Sequence, residues 1–175
     1  MDINEKAKKI ECIICDVDGT LTDGKVYISE DRKKSRSFNI KDGLGLKLWR
    51  LAGFKTGFIT GDASDSSHER ADMLKVDFVY TDCLDKRGAI DEIIQKSGLG
   101  SEQIAFVGDD LIDIPVLKKV GLAVAVQDAV PELNECIHYK TRASGGNGAV
   151  REIIELVLKA KGLWDGIVED FYRDA

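Results

Sequence analysis

Short apolar runs, each cut off by glycine or acidic residues and separated from the next by a stretch with helical spacing, limit most strongly what this chain can fold into. Residues 10–15, 56–60, 78–80, 104–107 and 122–126 are mostly apolar without strict alternation. A strand with one wet face alternates, whereas a strand covered on both faces reads as a continuous apolar run. The segments between them, at about 42–51, 64–74, 86–96 and 112–120, carry apolar residues at helical spacing, and Gly53, Gly98 and Gly121 close three of them. A short helix enters through Pro131, and the last long helix spans about 149–158. This rhythm predicts a doubly wound, Rossmann-like α/β fold: a parallel sheet with helices on both faces.

One segment breaks the rhythm. Residues 24–40 hold Lys25-Val26-Tyr27-Ile28 and Ser35-Arg36-Ser37-Phe38-Asn39-Ile40 around a charged turn at 29–34, the pattern of a β-hairpin inserted after the first strand. The tail, about 162–175, carries Trp164, Ile167, Val168, Phe171 and Tyr172 among acids, too apolar for a disordered end. With 175 residues the chain can bury a full core without disulfides or structural metal, and it is short for two ordinary domains, so residues 1–175 are expected to form one.

Partners are narrowed by charge and hydropathy. Lys and Arg total 25 against 31 Asp and Glu, a net charge of −6. A binder of nucleic acid needs clustered excess cations to displace counterions, so none is expected here. No apolar run reaches the roughly 18 residues that cross a bilayer, and the polar start, residues 1–9, has no apolar stretch behind it. A cytoplasmic protein without a membrane partner is expected. Four cysteines fit a reducing compartment. Cys12 and Cys15 form a C-x-x-C, but three residues apart on a strand they face opposite sides about 10 Å apart. They read as small buried side chains.

The chemistry gathers where strands end, which is where open parallel sheets bind ligands. The first strand ends in Asp16-Val17-Asp18-Gly19-Thr20, the second in Thr60-Gly61-Asp62, the fourth in Gly108-Asp109-Asp110 followed by Asp113. Several carboxylates in one crevice repel unless a cation sits among them, and hard oxygen ligands suit Mg²⁺. Asp16 and Asp18, two apart on an extended chain, project the same way roughly 6.5–7 Å apart. One can attack an electrophilic centre while the other, protonated, serves the leaving group. Thr60 can donate to a phosphoryl oxygen. Lys86 stands in the first turn of its helix, where the dipole disfavours a cation unless an anion is near. Asp113 either orients Lys86 or a metal-bound water, or is a helix-start acid. Arg142 and Arg151 flank a Gly-Gly loop and could hold a carboxylate as bidentate forks. His68, on a polar helix face, reads as surface, and Trp49 as core.

Asp16-Val17-Asp18-Gly19-Thr20, Thr60, Lys86 and Gly108-Asp109-Asp110-x-x-Asp113 resemble, in order and spacing, the four motifs of the haloacid dehalogenase superfamily of phosphatases. Leu21-Thr22-Asp23-Gly24, the stretch from Phe38 to Gly43 and Ser144-Gly145-Gly146-Asn147-Gly148-Ala149-Val150-Arg151-Glu152 are similar to its capless branch, which includes the octulosonate 8-phosphate phosphatases. The resemblance implies no cap domain and a phosphorylated sugar acid as substrate. It implies Asp16 as nucleophile and Asp18 as acid/base, with Thr60 and Lys86 on the phosphate. Mg²⁺ would be held by Asp16, the Asp18 carbonyl and Asp109, with Asp110 and Asp113 behind them. Asp42, Gly43, Gly61 and Asp62 would border the substrate, and neighbouring subunits of a homotetramer would supply the missing cap.

Two positions depart from the branch's pattern. Its second motif often continues Thr-Gly-Arg, where this chain has Asp62, and its Gly-Gly-x-Gly loop often carries Arg or Glu, where this chain has Asn147. Asp62 is expected to face the polyol side of the substrate, with Arg142 or Arg151 taking the carboxylate. An eight-carbon octulosonate 8-phosphate is the first expectation. A nine-carbon sialic-acid-type 9-phosphate and a non-catalytic assembly domain of the same fold are the alternatives.

Overall fold

The computed structural model describes residues 2–32, 34–63 and 65–173, with the side chains of Phe171 and Tyr172 outside the described set. Helix α1 (Ile3–Ala7) leads into β1 (Cys12–Cys15), whose four residues are all buried. Strands β2 (Tyr27–Ile28) and β3 (Lys34–Ser35) form an antiparallel pair of their own. Then follow α2 (Ile40–Leu51), β4 (Lys55–Ile59), α3 (Asp65–Leu74), β5 (Phe78–Tyr80), α4 (Lys86–Ser97) and β6 (Ile104–Gly108). The chain finishes with α5 (Ile114–Leu117), β7 (Leu122–Ala125), β8 (Tyr139–Lys140), α6 (Ala149–Ala160) and α7 (Trp164–Arg173).

The main sheet has six strands in the order β5-β4-β1-β6-β7-β8, every pair parallel. The chain leaves β1 toward β4 and β5, then returns to β1's other side for β6, β7 and β8. That reversal places the topological switch point, and with it the ligand crevice of such sheets, at the carboxyl end of β1. The apolar runs therefore belong to parallel strands, buried as their lack of alternation predicts except at the edge strand β5, whose three residues are half-buried. Helices flank the sheet, α2 packing on α6, which also carries α1 and α7, while α4 packs on α5.

Local sequence sets the helix ends. Asn39 caps α2, its side chain accepting from Lys41 N at 2.8 Å, and Asp85 caps α4 by accepting from Arg87 N at 3.1 Å. Gly98 ends α4 in the left-handed region at φ +72°. The start of α6 has no cap of its own. Asp42, buried in α2, reaches across to accept from Gly148 N at 3.2 Å and Arg151 N at 2.8 Å, satisfying donors that the helix leaves free.

Several elements differ from the sequence expectation, among them α1, which the polar start did not announce, and the short helix at Pro131, which is a 3₁₀ helix over Pro131–Glu135. The second hairpin strand pairs only at Lys34–Ser35, because Asn39 and Ile40 are taken by the start of α2. The helix expected at 112–120 shrinks to a 3₁₀ turn at Leu111–Asp113 followed by α5, because Pro115 is compatible only with a first helical turn. Strand β8 is too short to leave a pattern. The tail forms α7, docked through Trp164 between Arg151 (5.1 Å) and Lys159 (5.3 Å). Residue 64, expected to open α3, lies outside the described residues.

Trp49 is fully buried, stacks on Phe54 at 4.3 Å between centroids, and donates Nε1–H to the Lys55 carbonyl at 2.8 Å. It closes the loop from α2 to β4. Trp49→Ala is expected to lower unfolding free energy by about 3–5 kcal/mol, measured by urea denaturation. A loss under about 1 kcal/mol contradicts this packing role.

Candidate active site

At the end of β1, Asp16 N still donates to Val107 O at 2.9 Å, one step past the last residue of the strand. The chain then folds back on Val17, whose carbonyl accepts from Leu21 N (3.0 Å) and Thr22 N (3.1 Å). Gly19 turns through φ +91°, and a Cβ there would lie 2.0 Å from Asp109 Oδ2. Both the left-handed backbone and the proximity of Asp109 require glycine. The Gly-Gly loop leans on this turn from behind: Gly146 N donates to Thr20 O at 3.0 Å, and a Cβ on Gly145 would meet Gly19 O at 1.7 Å. Asp128 fixes that loop by accepting from Gly145 N at 2.9 Å.

Lys86, fully buried at the start of α4, donates to Asp16 Oδ1 and, at 2.7 Å, to Asp113 Oδ1. Burial alone would lower its pKa, but the charges of Asp16 and Asp113 raise it above the ordinary lysine value. Asp113 uses its other oxygen to accept from Asp109 N (2.9 Å) and Asp110 N (3.3 Å). It therefore pairs with Lys86 and is at the same time an acid at a helix start that shapes the turn after β6. Asp110 points elsewhere, its carboxylate accepting from Leu111 N at 2.7 Å to cap the 3₁₀ turn.

Thr60, buried at the end of β4, donates to Asp18 Oδ2 at 3.3 Å and accepts from Asp62 N at 3.2 Å. The groups expected from the sequence thus converge: Asp16 with Lys86, Asp18 with Thr60, and Asp109 beside Gly19 and, at 3.5 Å, Thr20 Oγ1. Asp16, Asp109 and Asp113 each bring a carboxylate oxygen to within 4.8 Å of one another. Asp16 Oδ2 is buried without a hydrogen-bond partner. An orphaned carboxylate oxygen beside other hard oxygens fits a divalent cation such as Mg²⁺ and leaves no role for soft-metal ligands. Without that cation, burial drives the Asp16 carboxyl well above its ordinary range, Lys86 opposing, and burial together with Asp113 and Asp110 raises Asp109 to about 7.

Other predicted residues lie apart from this group. Asp42 is spent on α6, and Gly43 lets Arg70 pass, a Cβ there standing 2.3 Å from Arg70 Nη2. Gly61 packs under Leu84. Arg142 pairs with Glu152 at 3.6 Å and Arg151 with Glu155 at 2.8 Å. Both, with Asn147, line a separate groove of about 470 Å³ that includes none of Asp16, Asp18, Thr60, Lys86 or Asp109. Asp62 is held by a residue that sequence reasoning missed. Arg36, in the hairpin's return, donates to Asp18 through Nε and to Asp62 Oδ2 through Nη2 at 2.6 Å. A lone arginine in a charged hairpin gives no periodic or motif signal that could have found it.

A family model for haloacid dehalogenase-like hydrolases matches residues 54–153. The chain is 39% identical to the 3-deoxy-D-manno-octulosonate 8-phosphate phosphatase KdsC of Yersinia pestis over 165 residues, 94% of this chain and 88% of that one. The KdsC of Escherichia coli K12 is 39% identical over 164 residues, 94% and 87% of the two chains. The solved Yersinia pestis phosphatase superimposes with a TM-score of 0.92 at 38% identity, over 94% of this chain and 89% of that one. A Moraxella catarrhalis 3-deoxy-D-manno-octulosonate 8-phosphate phosphatase, solved with magnesium ion, phosphate ion and KDO, gives 0.94 at 33% identity over 97% of each chain.

The raised Asp109 predicts a pH signature. A carboxyl titrating near 7 when folded and near 3.8 when unfolded keeps its proton only in the fold across that window, so stability of the metal-free protein falls as pH rises from about 4 to 7. Mg²⁺ binds the deprotonated form. It is expected to raise the melting temperature clearly at pH 7.5 and little at pH 5, measured by calorimetry with and without millimolar Mg²⁺. Equal shifts at both pH values contradict this assignment.

Proposed function

The chain belongs to the haloacid dehalogenase-like hydrolases, and from that premise we propose that it is a Mg²⁺-dependent phosphomonoesterase. Its substrate is a phosphorylated sugar acid, 3-deoxy-D-manno-octulosonate 8-phosphate, and the reaction passes through an aspartyl phosphate on Asp16. The carrying observation is Asp16 itself: one oxygen is held by buried Lys86 and the other is left without a partner. The large majority of buried side-chain polar atoms have a partner, so the exception at this depth calls for a ligand. The substrate reading rests on the relatives, which match the chain nearly end to end.

In the first step an Asp16 oxygen attacks phosphorus in line. The bond from phosphorus to the sugar oxygen breaks, and Asp18 gives that oxygen its proton. In the second step Asp18, now a base, takes a proton from water, whose oxygen attacks phosphorus and frees Asp16. Thr60 and Lys86 donate to the equatorial phosphoryl oxygens, where charge is spread in a loose transition state. Asp113 keeps Lys86 aimed. Asp16, Asp109 and the Asp18 carbonyl are the residues that would hold Mg²⁺, which when bound lets an anionic carboxylate approach an anionic phosphate.

The whole chain acts as one domain, in the cytoplasm. The hairpin presents Val26, Tyr27 and Ile28 at 42%, 54% and 70% exposure, an apolar surface that a tetramer of this chain would bury while closing each crevice against water. Phe38, further along the same insert, lies partly buried under Arg70 at 5.5 Å.

Asp16→Asn is expected to abolish Mg²⁺-dependent phosphate release from the octulosonate phosphate, because an amide neither attacks phosphorus efficiently nor carries the needed charge. Residual turnover above about 1% of wild type removes the nucleophile assignment. Asp18→Asn should cost about 10²-fold or more on the sugar phosphate and distinctly less on p-nitrophenyl phosphate, whose leaving group needs no proton. Equal losses contradict the acid role. Light scattering should give a tetramer mass, and a fully active monomer contradicts the shared closure.

A further inference from the structure

The crevice contains a second buried cation for which the mechanism above has no use. Arg36 comes from the hairpin, not from a strand end, yet its side chain is only 1% exposed. It donates Nε to Asp18 Oδ1, Nη2 to Asp62 Oδ2 at 2.6 Å, and Nη2 more weakly to Asp18 Oδ2 at 3.4 Å. Its remaining nitrogen, Nη1, is buried and has no partner. A guanidinium presents five donors in a fixed fork, and an unmet charged donor away from water is costly unless some ligand completes it. What completes it must be an anion or a strong acceptor, and the same guanidinium already touches Asp18, the proposed acid for the leaving group.

We infer that Arg36 is the residue that recognises the carboxylate of the substrate, and that Asp62 is the mooring that keeps it in the crevice. The inference rests on the sugar-acid reading above and adds to it the residue that reads the acid. Three observations carry it. The arginines that sequence reasoning favoured are engaged elsewhere, Arg142 with Glu152 and Arg151 with Glu155, in the groove that excludes the acidic crevice. Asp62 would repel an anionic substrate if it stood alone, but its pairs with Arg36 and, at 3.3 Å, with Lys34 cancel that charge. Finally, both oxygens of Asp18 are occupied, Oδ1 by Arg36 and Oδ2 by Thr60 with Arg36 beyond.

An acid that must reach a leaving oxygen has to free one of those oxygens. A substrate carboxylate arriving on Arg36 does so by exchange: the guanidinium keeps Asp62, gives up Asp18 and offers its freed donors, together with the unmet Nη1, to the substrate's two oxygens. Planar carboxylate recognition of this kind is what a guanidinium offers and an ammonium does not. A phosphate ester without a carboxylate leaves Arg36 on Asp18, and the acid stays engaged. Selectivity for sugar acids and release of the general acid would then be one event.

The test is a ratio. For each enzyme, kcat/KM is measured with Mg²⁺ for two pairs in which only one member bears a carboxylate: 3-deoxy-D-manno-octulosonate 8-phosphate against a pentose 5-phosphate, and 3-phosphoglycerate against glycerol 3-phosphate. Wild type should prefer the carboxylated member of each pair. Arg36→Gln should shrink that preference at least about tenfold, the worth of one charge-assisted pair, mainly through KM. Arg36→Lys should restore part of it, and Asp62→Asn, which loosens the mooring, should lose a smaller share. Because a ratio is read, a general loss of folded enzyme cancels. Should Arg36→Gln prove inactive, the Lys and Asn variants decide on the same ratio. A wild type with no preference for carboxylates, or variants that keep the wild-type ratio, overturns the assignment. A wild type that prefers carboxylates in both pairs but turns over octulosonate phosphate no better than phosphoglycerate overturns the octulosonate reading and leaves Arg36 standing.

Discussion

One lysine, fully buried and held between two buried carboxylates, ties three segments of this site together. Lys86 enters from the first residue of α4, Asp16 from the end of β1 and Asp113 from the turn after β6. Removing three charges from water is expensive, and such a cluster is poor evidence of stability in its own right. Its worth lies in geometry. With Asp109 beside them, the acids outnumber the one ammonium, so the crevice gathers hard oxygen ligands for a cation and, through that cation, for a phosphate. Removal of Lys86 alone would leave two buried acids uncompensated, which ties the fold of this region to its chemistry.

Backbone contacts around the cluster leave little slack. Asp113 holds the amides of Asp109 and Asp110, Asp109 sits where any side chain on Gly19 would be, and Gly145 sits against the Gly19 carbonyl. Neighbouring layers are thus in contact from the loop before α6 through the Asp16 turn to β6. The Gly-Gly loop accordingly supports the proposed nucleophile from behind. Asp42 has a similar place: a carboxylate inside α2 that supplies the start of α6 and so fixes where the Gly-Gly loop ends.

What the sequence made legible follows from how local each signal was. Continuous apolar runs identified the buried strands, and Asp16, Asp18, Thr60, Lys86 and Asp109 were readable because each stands at a strand end or helix start, positions with a pattern of their own. Asp113 was readable as an acid but not as a double anchor, since its hold on Lys86 depends on a chain segment 27 residues away. Arg36 was invisible: its partners lie 18 and 26 residues away across the hairpin, and nothing about Ser35-Arg36-Ser37 marks it. Arg142 and Arg151 stood out beside a glycine loop that resembles a binding motif, and their pairs with Glu152 and Glu155 of α6 were not legible. Asp62 looked like a departure that costs a cation, and the cation is present, supplied by the hairpin.

Everything proposed for this crevice depends on Asp16 carrying the phosphoryl group covalently between the sugar and water. The stereochemical course at phosphorus tests it most directly, because it does not require the intermediate to accumulate. With an octulosonate ester made chiral at phosphorus by oxygen isotopes and turned over in isotopic water, two successive in-line displacements, on Asp16 and then by water, give net retention. Net inversion means that water attacks the ester directly, and it would contradict the role of Asp16 as nucleophile.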